Sequence, residues 1–455
     1  MSRLPNRNLI QRRWNASEDH LRPQRWNWSA VIRPLDQRLA RQADDSLSPE
    51  RVFSLRYFWL DGLFAATSEN FYLSFMVLFA LAYGANNEQV GWLTAVANLL
   101  GALALFPGAR LAERGNRKRT VLWSGGGVAR LALLALALLP LLAGEPALAI
   151  WLIIGLNGLR AFMANLANPA WTAMVADLVP DFMRGRFFGS RNMAMGVAAL
   201  VVAPLAGRLI TAMNGRFNLP HLGYQAAFFL AFAIGMVATF SFRRIAEPAP
   251  VPGAIHQHQR GELRRALRQN PAFVGMVISA FVWNLALQIA APFFNVYLVS
   301  EFEASAGMIG FLASVSSLSA LLGQRVFGRW LDEKGAIWVQ QVCGFLIPLL
   351  PFCWLFITAP WQVAFVNVLG GFAWAGYNLS NFNLLLTLTP DEQRPRAVAL
   401  FQTAVFSSAV IGPLLGGYLA DAVSFKLIFG LSGIGRLAGI LLFIWLTVRR
   451  QGANN

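Results

Sequence analysis

Twelve stretches of roughly twenty residues, nearly free of charge, dominate this chain and leave few folds open to it. They cover about 55–81, 88–109, 119–142, 147–178, 187–212, 222–243, 272–299, 306–328, 336–358, 361–388, 396–421 and 425–447. Each is long enough to cross a hydrocarbon layer about 30 Å thick as an α-helix. Composition agrees: 56% of residues are hydrophobic and 13% are charged. A soluble domain carries about a quarter charged residues, so this chain lacks the polar skin that a soluble core of its length would need. The expectation is an all-α, polytopic membrane protein.

The net charge of +16 raises the question of nucleic acid. Its distribution answers it. Basic residues sit in alternate loops, and no basic face is interleaved with stacking aromatics, so no nucleic-acid partner is expected. Cys343 and Cys353 share one apolar run, ten residues apart on a helix and out of reach of each other, so no disulfide framework exists. All four histidines, His20, His221, His256 and His258, lie in polar segments. His256-x-His258 has no carboxylate or thiol nearby and reads as solvated loop; no metal and no cofactor are expected. The first 50 or so residues are polar and Arg-rich, without the apolar core of a signal peptide. Trp14, Trp26 and Trp28 interleave with arginines there, which suits either an interfacial helix or disorder.

Arginines and lysines set the orientation. Arg110, Arg114, Arg117, Lys118 and Arg119 follow the second run; Arg184, Arg186 and Arg191 the fourth; Arg243, Arg244, Arg260, Arg264, Arg265 and Arg268 the sixth; Arg325, Arg329 and Lys334 the eighth; Arg394 and Arg396 the tenth. The opposite loops at 82–88, 143–146, 300–306 and 358–360 hold no Lys or Arg. The positive-inside rule therefore puts both termini in the cytoplasm. The expected organisation is a cytoplasmic tail 1–52, a bundle 53–243, a cytoplasmic linker 244–271 marked by Pro248, Pro250, Pro252 and Gly253, a second bundle 272–448, and a tail 449–455.

The two bundles repeat one unit. At an offset of 219, Val90-Gly91-Trp92-Leu93 falls on Ile309-Gly310-Phe311-Leu312, and Ala109-x-x-x-Glu113 on Gly328-x-x-x-Asp332. At an offset of 210, Pro180-Asp181-x-x-Arg184-x-Arg186 falls on Pro390-Asp391-x-x-Arg394-x-Arg396, Asn157 on Asn367 and Asn168 on Asn378. Twelve transmembrane helices in two pseudo-symmetric six-helix bundles are expected, and in such duplicated proteins the substrate site lies near the midplane between the repeats.

Gly328-Arg-Trp-Leu-Asp332-Glu-Lys-Gly335 and Ala109-Arg-Leu-Ala-Glu113-Arg114-Gly-Asn116-Arg117-Lys118 resemble the signature loops of the major facilitator superfamily. The resemblance implies a secondary transporter that works by alternating access. It also implies gating roles for Glu113, Arg114, Arg117, Lys118, Gly328, Asp332 and Gly335, and with them Asp181, Arg184, Arg186, Asp391, Arg394 and Arg396 of the second loop pair. The alternative is that these charges only cap helices and enforce topology. The N-half copy departs from the pattern at Ala109, Glu113 and Asn116. Leu156-x-x-x-Arg160 resembles the family's helix-4 arginine motif, linked to proton handling. Gly412-Pro413-Leu-Leu-Gly416-Gly417 and Ala203-Pro204-Leu-Ala-Gly207 resemble its antiporter motif.

Ionisable groups inside a bilayer are costly, so each is a functional candidate. Glu69 lies mid-run and falls on Gln288 at the 219 offset. Polar stripes run along four helices: Ser68 and Tyr72 in the first, Asn157, Arg160 and Asn168 in the fourth, Asn284, Gln288 and Asn295 in the seventh, and Trp374, Asn378 and Asn381 in the tenth. By the resemblance, these four helices line the central cavity. The other reading is interhelical glue. Glu69 and Arg160 are the proton-coupling candidates, a static ion pair being the alternative. Arg130 and Arg436, also in the bilayer interior, are expected to point inward to partners.

The expected activity is proton-coupled export of a small amphipathic compound. Nutrient uptake by symport and a non-transporting membrane receptor are the alternatives. The expected partners are the lipid bilayer, a small-molecule substrate and protons, with the chain working as a monomer. An ATP-driven pump would need a phosphate-binding loop, and none of the three lysines, Lys118, Lys334 and Lys426, sits in one. No nucleophile–base pair or paired acids mark an enzyme. Abundant arginine beside scarce lysine points to a GC-rich bacterial genome, hence a bacterial inner membrane.

Overall fold

In a computed structural model, which describes residues 49–180, 183–247, 271–387 and 394–448 (apart from the side chains of 176, 184–186, 386 and 394–399), every apolar run is a helix. Burying backbone polar groups in their own ladder is the solution a lipid environment imposes. The helices are α1 Pro49–Ala82, α2 Asn87–Glu113, α3 Arg117–Ala137, α4 Pro146–Leu178, α5 Arg184–Phe217 and α6 Leu222–Arg243 in the N-terminal half. The C-terminal half has α7 Pro271–Phe302, α8 Ala306–Lys334, α9 Ala336–Trp354, α10 Val363–Thr387, α11 Arg394–Ala422 and α12 Phe425–Val448. By length and hydropathy, 11 helices among the described residues can span a membrane. The twelfth, α10, is long enough, but Asn367, Asn378, Asn381 and Asn383 dilute its apolar character.

Several helices carry breaks. The α7 helix is interrupted at Ala291–Pro292 and α9 at Ile347–Pro348, where proline removes a backbone donor. In α3, Ser124–Val128, with three consecutive glycines, forms a π-turn.

Two sequence expectations need correction. Arg191 was grouped with the basic residues that follow the fourth run; it lies inside α5, as the bounds of the fifth run imply, and its side chain turns into the bundle. The two signature loops are largely helical, because α2 continues to Glu113 and α8 to Lys334. The turns that follow are short and use left-handed backbone at Gly115, Asn116 and Gly335. The tail 1–48, most of the linker with His256 and His258, and the tail 449–455 lie outside the described residues.

By its contacts the chain divides at Phe53–Ser54, and the helical bundle belongs to the unit from Ser54 onward. We call the end where the helices begin at Pro49 and finish at Val448 the terminal end, and the other the far end. The repeat is visible in the hydrogen bonds. Asn157 Nδ2 donates to the Leu93 carbonyl at 3.5 Å, and its counterpart Asn367 donates to the Leu312 carbonyl at 2.9 Å, tying α4 to α2 and α10 to α8.

The halves meet along two pseudo-symmetric seams, α2 with α11 and α5 with α8. Glycines lie against backbone carbonyls in both. A methyl group on Gly91 would sit 2.6 Å from the Pro413 oxygen, and one on Gly417 would sit 2.7 Å from the Asn87 oxygen. In the second seam Gly310 faces the Ala203 carbonyl and Gly207 that of Ala306. Small residues allow this close backbone approach in membranes. At the far end each seam caps a helix N-terminus of the opposite half. Asp421 of α11 accepts from Asn87 Nδ2 (2.7 Å) and the Glu88 N–H (3.2 Å), and Thr211 Oγ1 of α5 accepts from the Gly307 N–H (3.0 Å). Nearer the middle, Asn98 donates to Ala409 and Ser314 to Leu200.

Candidate functional site: two charged cavities

One cavity lies within the N-terminal half and a second lies mostly within the C-terminal half. The N-half cavity, 410 Å³, is lined by Asp61, Glu69, Arg130, Asn168, Trp171 and Arg191 among others, mostly from the terminal half of their helices. Two acids and two arginines thus share one space. Asp61 is 9% and Arg191 7% exposed, and they stand 3.9 Å apart. Arg191 also lies over the Phe58 and Trp171 rings, at 4.6 and 5.6 Å, and donates to the Phe58 carbonyl. Gly62 makes this possible, since a methyl there would come within 2.7 Å of the guanidinium Nη2. Arg130, displayed just beyond the π-turn, donates to Ser68 Oγ at 2.9 Å; Ser68 donates in turn to the Ala231 carbonyl at 2.6 Å. Glu69 is exposed to the cavity and has no ion pair among the described residues.

Arg160 does not pair with Glu69 in this state. Its Nη1 donates to the Tyr72 hydroxyl (2.9 Å) and its Nε to Asn157 Oδ1 (3.1 Å), with the guanidinium 4.9 Å from the Tyr72 ring centre. Arg160, Tyr72 and Asn157 therefore form one network linking α1 and α4, and Asn157 carries it to α2. The polar stripes divide in the same way. Ser68, Tyr72 and Asn157 are buried and hydrogen-bonded between helices, and Asn284 donates to Ala280 of its own helix. Gln288 packs against Gly412 of α11. Asn168 reaches the N-half cavity, Asn295 and Trp374 line the C-half cavity, Asn381 lines a small adjoining pocket, and Asn378 is exposed.

The second cavity, 370 Å³, lies mostly in the C-terminal half and is largely apolar and aromatic: Phe294, Trp354 and Trp374 face it, with Asn295, Asn367, Ser316, Arg436 and, from α1 of the other half, Ser74 as polar members. Stacked Trp283 and Tyr377, 4.8 Å apart, lie behind it. Sequence reasoning placed Arg436 in the interior and expected it to find a partner. Among the described residues its guanidinium makes no hydrogen bond, although it is 2% exposed.

At the terminal end, Arg117 of α3 and Asp177 of α4 form an ion pair at 2.7 Å. The Lys118 N–H donates to Glu247, and the Lys334 ammonium lies over Trp338 at 4.2 Å. Glu113, Arg114 and Asp332 are exposed, without ion pairs among the described residues. A methyl added to Gly328 would meet nothing within 4 Å in this state; the close approach in α8 is at Gly323, where a methyl would meet the Phe372 carbonyl at 2.8 Å. Asp181, Asp391 and the side chains of Arg184, Arg186, Arg394 and Arg396 lie outside the described residues. Reasoning from sequence missed the Asp61–Arg191 pair because Arg191 was counted as a loop charge; its signal was a second arginine a full turn beyond Arg186.

Comparison with known proteins agrees with this architecture. The sequence model of the Major Facilitator Superfamily matches residues 58–297 and 276–455. The multidrug resistance protein MdtG of Salmonella typhimurium and that of Salmonella schwarzengrund are each 26% identical over 412 residues, covering 86% of this chain and 95% of theirs. Among solved structures, a bacterial homologue of the iron transporter ferroportin in an inward-facing state superposes with a TM-score of 0.66 at 17% identity, over 88% of this chain and 100% of that one. A bacterial homologue of the human lysosomal transporter Spinster, inward-facing and unoccupied, gives 0.62 at 16% identity over 89% and 96%. With twelve helices in two repeated halves and a family match along nearly all of them, the chain belongs to the major facilitator superfamily and is a multi-pass membrane secondary transporter.

Proposed function

We propose that this transporter exports small amphipathic compounds in exchange for protons, with Glu69 as the acid that carries the coupled proton. The observation that carries the reading is the placement of Glu69. Among the described residues, Asp61 and Glu69 are the only carboxylates more than a turn from a helix end. Asp61 is buried against Arg191, whereas Glu69 is open to the cavity. An acid in a water-accessible intramembrane cavity, close to movable cations, is the arrangement a proton relay needs. Arg130 lines the same cavity as Glu69, and Arg160, one helix away, is held by Tyr72. Either cation changes the charge balance at Glu69 if the halves rock.

Relatives named multidrug resistance proteins, matched over almost their whole length, favour export. The arginine-rich loops favour a cytoplasmic location for the terminal end, in a bacterial inner membrane. On that orientation the far-end caps seal the outside and the described state faces inward. Glu113, Arg114 and Asp332, without ion pairs among the described residues, would then engage when the cytoplasmic side closes.

The test is uptake of a panel of fluorescent amphipathic dyes into inverted membrane vesicles, with and without an imposed proton gradient. Accumulation is expected only when the vesicle interior is acidic. Glu69→Gln is expected to abolish that accumulation while leaving gradient-free dye exchange intact. Proton-driven accumulation by Glu69→Gln at the wild-type level refutes the role of Glu69. The companion Asp61→Asn is expected to lower thermal stability, because it leaves Arg191 buried and unpaired.

A further inference from the structure

We propose that Arg436 is the anchor of an anion subsite in the C-half cavity, which takes the carboxylate of an amphipathic cargo. The inference deepens the transport reading above and rests on it for the word cargo only.

Arg436 lies near the middle of α12, 2% exposed, and so reaches neither lipid headgroups nor bulk water. Its Nε and Nη2 are buried without hydrogen-bond partners among the described residues, and the side chain lines the 370 Å³ cavity. A guanidinium always carries its charge at physiological pH. Burying one unpaired is among the costliest arrangements in a membrane protein.

The C-terminal half supplies no counter-charge. Its described acids, Glu301, Glu303, Asp332, Glu333 and Asp421, all sit at helix ends or in loops. The N-half cavity differs, because there two arginines share the space with two carboxylates. The repeat does not explain the C-half charge either: Arg160 in α4 falls on Gly370, leaving Arg436 the cavity's only cation among the described residues.

The surroundings of Arg436 specify the rest of the ligand. Asn295 offers a second donor facing the same space. Phe294, Trp354 and Trp374 provide apolar walls. One planar, bidentate cation beside one amide in an aromatic cavity of this size suits a monoanion with an apolar body.

The experiment is calorimetric titration of the purified full chain in detergent with three isosteric probes: naphthalene-2-carboxylate, naphthalene-2-methanol and naphthalene-2-methylammonium. The carboxylate is expected to bind about tenfold or more tighter than the alcohol, and the ammonium weakest. In Arg436→Met the carboxylate advantage is expected to vanish while alcohol binding stays. Arg436→Lys is expected to keep part of the advantage, since it keeps charge but not the fork. Arg436→Met is also expected to unfold at an equal or higher temperature than wild type, because it removes an unpaired charge. Equal binding of carboxylate and alcohol by wild type overturns the proposal, as does a carboxylate preference that survives in Arg436→Met.

Adding phosphatidylglycerol or phosphatidylcholine to the same titration identifies the natural anion. Competition by the former alone assigns a lipid headgroup, and no competition assigns a soluble carboxylate; both keep the anion site. Glu69→Gln separates this proposal from proton coupling. It is expected to keep the carboxylate preference while losing proton-driven flux, so each reading can fail without the other.

Discussion

Gly91 offers the sharpest test of how the halves move. In the α2–α11 seam a β-carbon at this position would stand 2.6 Å from the Pro413 oxygen and 3.3 Å from its carbonyl carbon. A carbon–oxygen contact relaxes to about 3.3 Å, so Gly91→Ala must widen the seam by about 0.7 Å. No rotamer can absorb this, because the opposing atoms are backbone. Overpacking of this kind costs about 1–3 kcal/mol, and the cost falls only on the state in which the far end is closed. The ratio of far-end-open to far-end-closed molecules should therefore rise by about 5- to 150-fold. Spin labels at Glu145→Cys and Thr358→Cys, exposed far-end positions on opposite halves, report the change by electron–electron double resonance once Cys343 and Cys353 are replaced by serine. A longer-distance population is expected to grow in Gly91→Ala. Gly155→Ala is the control: its added methyl meets nothing within 4 Å. An unchanged distance distribution in folded Gly91→Ala refutes the reasoning, as does an equal shift in Gly155→Ala.

Other perturbations probe the same framework. Asp421→Asn keeps the shape of the far-end cap but removes its charge, so it is expected to weaken closure by about 0.5–1 kcal/mol and to make closure less salt-sensitive in the same spin-label assay. Arg117→Gln and Asp177→Asn each break the 2.7 Å pair between α3 and α4. A double-mutant cycle read by thermal unfolding is expected to give a coupling of about 0.5–1 kcal/mol for this partly exposed pair, and a coupling of zero would show that it only decorates the surface.

The helices and their duplication were legible because both depend on long-range pattern. Continuous apolar runs admit one backbone solution in lipid, and Asn157 and Asn367 make the same bond to the same pseudo-equivalent carbonyls. Charges were harder to place. A basic residue near a run's edge looks the same whether it ends a loop or begins a helix, and Arg191 turns on that difference. Partners were harder still, because they depend on which helices cross and at what height. Arg160 and Glu69 were natural mates by sequence, yet a nearer hydroxyl and an amide satisfy Arg160. The motif at Gly328 specifies a glycine without saying in which conformation the helices touch. Gly323, one and a half turns earlier, bears the contact in this state.

The two far-end caps also impose an order in time. One seam is held by a carboxylate with two bonds, at 2.7 and 3.2 Å, and its mirror by a single neutral hydroxyl bond at 3.0 Å. A charge-assisted cap outlasts a neutral one. The α5–α8 side should therefore part first, while α2 and α11 still act as the pivot, and for that interval the molecule is split along one flank only. Cargo departing then meets a sideways slot bordered by bilayer before it meets an opening straight into water. An amphipath leaving by that slot would enter the far-end leaflet first.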